Sequence, residues 1–300
     1  MENQVLDIIK NIEGIPTLPS VAMEVMSLTR SPDVSIKEIS ECIHKDPALA
    51  MRVLKMANSS FYRRGAREID TIHRAILLMG LNEVVNIATS VSVLSILTPK
   101  DHEAESMRRK LCNHCIATAL IARHMDKKIR MNTQGREFVG GLLHDIGKII
   151  FDEYFHDQFL EAYALSIRKD CPIFEAEREI IGLTHMDVGH YLAERWKLPP
   201  YLADIIFHHH EPSNAQFKDI TALISIANLL AKAKEVSCGG DNLSFILKDQ
   251  GAWLLLKKIG HPMDALDIER ITFEMEDIGK EVEQYISTVL DQSSEEKADG

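Results

Sequence analysis

Apolar residues recur along this chain at the helical period of about 3.6 almost from end to end, and runs of strict apolar–polar alternation are too short to make strands. That pattern confines the chain to an all-α fold class. The punctuation agrees with it. Ser20 is placed to cap a helix with Val21, Val25 and Leu28 on one face, and Ser35-Ile-Lys-Glu38 is a capping box opening a helix through Ile36, Ile39 and Ile43. Asp46 is an N-cap with Pro47 at the first helical position, where its missing N–H costs nothing, and Asn58 ends that helix. A helix with Ile72, Ile76 and Met79 runs to Gly80, and another is expected from about Asn82 to Leu97.

The polar break Pro99-Lys-Asp-His-Glu sets a boundary near residue 100. A helix from about Ala104 to Asp126 follows, then helices near 136–150, 152–169, 175–181, 186–195, 200–209 and 218–235, divided by Cys171-Pro, Leu198-Pro-Pro and Glu211-Pro. Gly239-Gly-Asp-Asn breaks the pattern again before shorter amphipathic helices that reach about Leu290 and a frayed acidic tail. The expected organisation is an N-terminal helical subdomain (1–100), a second helical subdomain (101–235) and a C-terminal helical extension with the tail (236–300).

Composition narrows the function classes. With 45% hydrophobic and 26% charged residues over 300 positions the chain is an ordinary globular one. Its net charge of −11 repels polyanions, which argues against broad nucleic-acid or anionic-membrane binding. The longest uncharged stretch, Val84 to Pro99, is broken by Asn86, Thr89, Ser90, Ser92, Ser95 and Thr98, so no membrane span is expected. The first residues lack a basic and apolar leader, and five scattered cysteines fit a reducing compartment, so the expected location is cytoplasmic.

The chemistry lies in the 13 histidines. His144-Asp145 closes an apolar helix in Gly-Leu-Leu-His-Asp-Ile-Gly-Lys148, beside Gly147, where backbone can approach closely. An imidazole next to a carboxylate suits Fe, Mn, Zn or Ni. His114 lies on the preceding long helix, His185 comes before Met-Asp-Val-Gly-His, and His208-His-His-Glu211 ends a helix. Asn228 interrupts the apolar run Leu223-Ile-Ser-Ile-Ala-Asn-Leu-Leu230 and needs a partner if buried.

A helix histidine, then His-Asp, then further histidines and a polar residue on a late helix resembles the metal-dependent phosphohydrolases of the HD superfamily. Residues 15 to about 232 resemble more specifically the HDOD family of bacterial signalling proteins, through Ile15-Pro-Thr-Leu-Pro19, Asp46-Pro-Ala-Leu49, Leu54-Lys-Met-Ala-Asn-Ser59 and Ala75-Ile-Leu-Leu-Met-Gly80. The resemblance implies a multi-helix HD-domain-like fold. It implies a mononuclear ligand set of His114, His144, Asp145 and Asn228, with His185, His209 and His210 as ligands for a second ion, and Lys148 as the phosphate-handling lysine. Three departures stand out. Asn228 occupies a position where an active enzyme has Asp, the Gly-Tyr-Pro segment of cyclic di-GMP phosphodiesterases is absent after Glu211, and Lys110 replaces their extra acidic residue.

With one carboxylate among the ligands, a divalent ion stays half compensated and a pair of ions far less so, which disfavours a dinuclear centre. The expectation is one divalent transition metal and a regulatory module that binds a signalling protein partner or a small nucleotide. The rival reading is an active phosphohydrolase with Lys148, His185 and His209 as catalytic groups, and a third is a relic polar core of mutually hydrogen-bonded imidazoles. Cys112-Asn-His-Cys115 reads as packing rather than zinc binding. Arg63, Arg64, Arg67 and Arg74 read as solvated surface. Met23, Met26, Met51, Met56 and Met79 read as core filler.

Overall fold

The structure, a computed structural model, describes residues 9, 12, 15–28, 33–60, 62, 68–98, 105–234, 236 and 246–290, and among them every regular element is a helix. The N-terminal part holds α1 (Ser20–Leu28), α2 (Ile36–His44), α3 (Pro47–Ala57), α4 (Ile72–Met79) and α5 (Leu81–Leu97). The central part holds α6 (Glu105–Ile129), α7 (Arg136–Leu143), α8 (Gly147–Tyr154), α9 (His156–Lys169), α10 (Ile173–Ile180), α11 (His185–Arg195), α12 (Pro200–His208) and α13 (Lys218–Ala233). The last part holds α14 (Gly251–Ile259), α15 (Ile268–Glu274) and α16 (Ile278–Leu290).

The caps form as the sequence predicts. Ser35 Oγ accepts from the Glu38 N–H at 3.2 Å and Glu38 Oε2 accepts from the Ser35 N–H at 2.8 Å, while Asp46 Oδ1 accepts from the Leu49 N–H at 3.0 Å. Asn58 ends α3 and also clasps the chain ahead, donating to the Ile69 carbonyl and accepting from its N–H, both at 2.8 Å. Ser20 differs from expectation: it is the first helical residue of α1, and the Pro19 carbonyl in front of it accepts from Ala22 and Met23.

The longest uncharged stretch becomes α5, buried on nearly all sides. Its polar side chains survive burial because Thr89, Ser90 and Ser92 donate to the carbonyls four residues back at 2.7–2.9 Å. No helix among the described residues is long and apolar enough to cross a membrane. The long α6 packs against α7, α13 and α16. One contiguous hydrophobic cluster takes in side chains from Ile9 to Val289.

The expected continuous helix over 136–150 is two helices. The chain tightens at residues 144–146, where Ile146 and Lys148 bond back three residues instead of four, and α8 then starts at Gly147. The break turns His144 and Asp145 into the core. A second break at Phe155, with φ −136° and ψ 37°, moves the start of the next helix from 152 to 156. Among the methionines, Met26 and Met56 are buried, Met23 and Met79 are half-buried, and Met51 is 64% exposed, so Met51 is not core filler. Arg63, Arg64 and Arg67 lie outside the described residues; Arg74 stands 3.4 Å from Asp70 on the surface.

Candidate metal centre

Four imidazoles converge on one carboxylate. Asp145 presents Oδ2 to His114 Nε2 at 3.5 Å, His144 Nε2 at 3.4 Å and Lys148 Nζ at 2.7 Å. It presents Oδ1 to His185 Nε2 at 3.2 Å and His209 Nε2 at 3.6 Å. His210 adds its Nε2 at 3.2 Å from His185 Nε2. His114, His144 and Asp145 thus form one group whose ligand atoms lie mutually within 4.8 Å, and His185, His209 and His210 form a second, with Asp145 between them. All are buried except His210, which is half-buried.

The far side of each ring explains its orientation. His114 donates its Nδ1–H to the Val236 carbonyl at 2.8 Å, His144 to the Gly141 carbonyl at 2.8 Å and His209 to the Ile206 carbonyl at 3.0 Å. His185 donates to Glu177 Oε2 at 2.6 Å, and the same oxygen accepts from the His185 backbone N–H at 2.8 Å. With Nδ1–H committed, the Nε2 of each ring in its neutral form is a lone pair aimed at Asp145. Lone pairs facing an anion repel, so the arrangement favours a cation among them; Lys148 is one, and a metal ion would be another. Among the described residues the Nε2 atoms of His114 and His144, Oδ1 of Asp145 and Oδ1 of Asn228 are buried and accept no hydrogen bond, which is the donor set an N/O-bound divalent transition ion needs.

Electrostatics keeps His114, His209, His210 and Asp145 in their ligating forms. Burial, aided by His144 and Lys148 against the pull of Asp145, pushes the His114 imidazole down to about 3. Burial and neighbouring histidines likewise hold His209 and His210 well below the usual imidazole range. For Asp145, burial acts upward, but His144, Lys148 and His185 outweigh it and hold the carboxyl well below the usual carboxylate range.

Local folding makes the convergence possible. A Cβ on Gly147 would stand 2.0 Å from the His185 carbonyl oxygen and 2.7 Å from the Gly189 N, so only glycine lets α8 and α11 meet at the 144–146 turn. Gly141 plays the same part between α7 and α6, where a Cβ would lie 2.6 Å from the Ala119 Cα. A cleft of about 790 Å³ opens onto the centre past His209, His210 and Asn228, walled by Phe174, Lys232 and the Gln250–Ala252 stretch.

Every site residue named from the sequence therefore sits at this centre or on its cleft. Sequence reasoning missed Glu177, the Val236 carbonyl, Phe174 and Lys232. Glu177 carries a signal, since Ile173, Ala176 and Ile180 put it on the apolar face of α10, where a carboxylate needs a partner. The Val236 carbonyl carries none, because any residue type supplies one. Cys112 and Cys115 join no metal-holding group among the described residues, and burial pushes the Cys112 thiol up to about 12.

A family model described as HDOD domain matches residues 15–212. A protein of undetermined function from Treponema pallidum (strain Nichols) is 28% identical over 221 residues, 73% of this chain and 42% of that protein, so the chain spans under half of that relative. A solved HDOD domain protein of unknown function from Geobacter sulfurreducens superposes with a TM-score of 0.78 at 22% identity, over 96% of this chain and 97% of that one. Another from Marinobacter aquaeolei VT8, described provisionally as a signal transduction protein, superposes with a TM-score of 0.68 at 20% identity, over 96% of this chain and 65% of that one. At these identities the superpositions establish the shared all-α fold.

Proposed function

The chain belongs to the HDOD family, and from that premise we propose that it is a signalling module of the cytoplasm whose HD-like centre holds one divalent transition ion, Fe, Mn, Zn or Ni, and which acts by binding rather than by turnover. Its ligand is a signalling protein partner or a small nucleotide. His114, His144 and Asp145 bind the ion, and Asn228 adds a weaker carbonyl oxygen. The observation that carries this reading is Asn228 itself: its Oδ1 is buried beside the histidine cluster without a hydrogen-bond partner among the described residues, and it brings no charge to a ligand set whose one carboxylate is Asp145, Glu177 standing behind His185. One ion is compensated tolerably there and a second is not, which leaves His185, His209 and His210 as a polar wall.

The test is metal content of protein purified without chelator or nickel resin, by plasma mass spectrometry, for the native chain, His144→Ala with Asp145→Ala, and Asn228→Asp. About one equivalent is expected in the native chain, none in the double variant, and at least about tenfold tighter retention in Asn228→Asp, where a carboxylate replaces an amide. Native protein that takes up no metal from Fe, Mn, Zn or Ni solutions would overturn the reading.

A second reading, an active metal-dependent phosphohydrolase, is favoured by the Glu177–His185 pair at 2.6 Å, the kind of carboxylate-oriented imidazole that moves protons. Here a bound ion would supply a lowered pKa for water, His185 and His209 would carry the proton, and Lys148 would neutralise phosphate. Metal-loaded protein that hydrolyses nucleotides or a generic phosphodiester, with the activity lost in the double variant, would put this reading first.

A further inference from the structure

A second concavity lies away from the metal centre, where the N-terminal helices meet α7 and α12. It has a volume of about 340 Å³ and is lined by Met26 of α1, Asn82, Val85 and Asn86 of α5, Gln134 and Arg136 at the start of α7, and Val139, Pro199 and Tyr201. That volume is at the small end for a ligand pocket. Met26, Val85, Val139 and Pro199 give it apolar surface.

Its amides satisfy one another in part, and its guanidinium does not share in that pairing. The Asn86 amide donates to the Gln134 carbonyl at 2.9 Å and the Asn82 amide donates to Gln134 Oε1 at 2.7 Å, which lines the three residues up along one edge. The Arg136 guanidinium lies over the Tyr201 ring, 5.5 Å from its centroid. Arg136 meets no carboxylate among the described residues, although the chain carries eleven more acidic than basic side chains, 45 against 34. A guanidinium over an aromatic ring and without a carboxylate partner can offer its N–H fork to an oxyanion, and side-chain amides present matched donors and acceptors to a polar edge.

We propose that this pocket binds a small organic oxyanion of about mononucleotide size, with Arg136 taking the phosphate or carboxylate, Asn82 and Gln134 the polar edge of the body, and the apolar lining its face. The site is separate from the metal centre and does not depend on the reading given for it. Its position also bears on that centre, because Arg136 opens α7 and His144 follows that helix eight residues later, about 12 Å along its axis.

The experiment uses the full chain stripped of metal with chelator, so that a failed metal assignment leaves this test intact. Calorimetric titration is run with AMP and GMP as phosphorylated probes, with succinate and 2-oxoglutarate as carboxylates, and with inorganic phosphate. The expected result is saturable binding in one organic arm, weakened at least about tenfold by Arg136→Ala, partly kept by Arg136→Lys, which retains charge without the fork, and unchanged by Lys232→Met in the metal cleft. Arg136 is exposed, so its variants should fold, which thermal unfolding checks. The proposal is overturned if no organic probe binds up to about 10 mM, a weak-affinity limit of under 3 kcal/mol, or if binding is indifferent to Arg136→Ala.

Discussion

Glu177 accepts two hydrogen bonds from a single residue, the backbone N–H and the Nδ1–H of His185, and does so at zero solvent exposure. Truncation would leave both donors buried and unpaired. Glu177→Ala is therefore expected to lower stability by about 3 kcal/mol, read from the urea midpoint, whereas Glu177→Gln, whose amide oxygen still accepts, should lose less than about 1.5 kcal/mol. Equal losses in both variants would mean that His185 needs the charge of the carboxylate and not merely an oxygen that accepts. The same logic applies to Asn228 and Arg136: among the described residues Asn228 Oδ1 accepts no hydrogen bond and Arg136 meets no carboxylate, and each is read best by a binding measurement.

At the scale of elements, the telling junction is the turn between α7 and α8. Gly147→Ala places a methyl 2.0 Å from the His185 carbonyl oxygen and should cost more than about 3 kcal/mol by forcing α8 and α11 apart, while Gly251→Ala, with nothing within 4 Å, should change stability by less than about 1 kcal/mol. Comparable thermal unfolding of the two variants would refute the close approach. This junction also marks where sequence reading stops. The helices from Ser35 to Leu97 could be placed from caps and apolar spacing because those signals are local. The break at 144–146 could not, because the run Arg136–Ile150 contains no proline, its three glycines do not by themselves say where the helix stops, and the turn forms where α8 packs against α11. For the same reason the histidines could be chosen by type and order, but Glu177 and the Val236 carbonyl are found only when α10 and the chain after α13 fold onto them.

Taken whole, the molecule buries imidazoles that an unfolded chain would protonate. His114, His209 and His210 are held below their ordinary values, chiefly by burial, so below about pH 6.5 the unfolded chain binds more protons than the folded one and stability must fall with falling pH. For metal-free protein, three such groups predict a loss of about 4 kcal/mol between pH 7.5 and 5.5, measured by urea unfolding at each pH. A flat profile over that range would show that the histidines are solvated. A separate buried cluster ties the parts of the chain together: Arg123 lies over the rings of Tyr62 and Phe138, 4.8 and 4.2 Å from their centroids, 3.2 Å from Glu83, and Phe138 in turn meets Tyr285. The N-terminal, central and C-terminal stretches share that contact, which is why composition and spacing could suggest the parts but not how they join.

The carbonyl that orients His114 belongs to Val236, and Asn228 belongs to α13; both lie beyond residue 212, where the family match ends. As the chain leaves the ribosome, then, His114, His144 and Asp145 are made long before the groups that steady and complete them. A metal ion captured early would meet flexible side chains and be released easily. On the metal-binding reading proposed above, firm retention would therefore report that the chain has folded through residue 236.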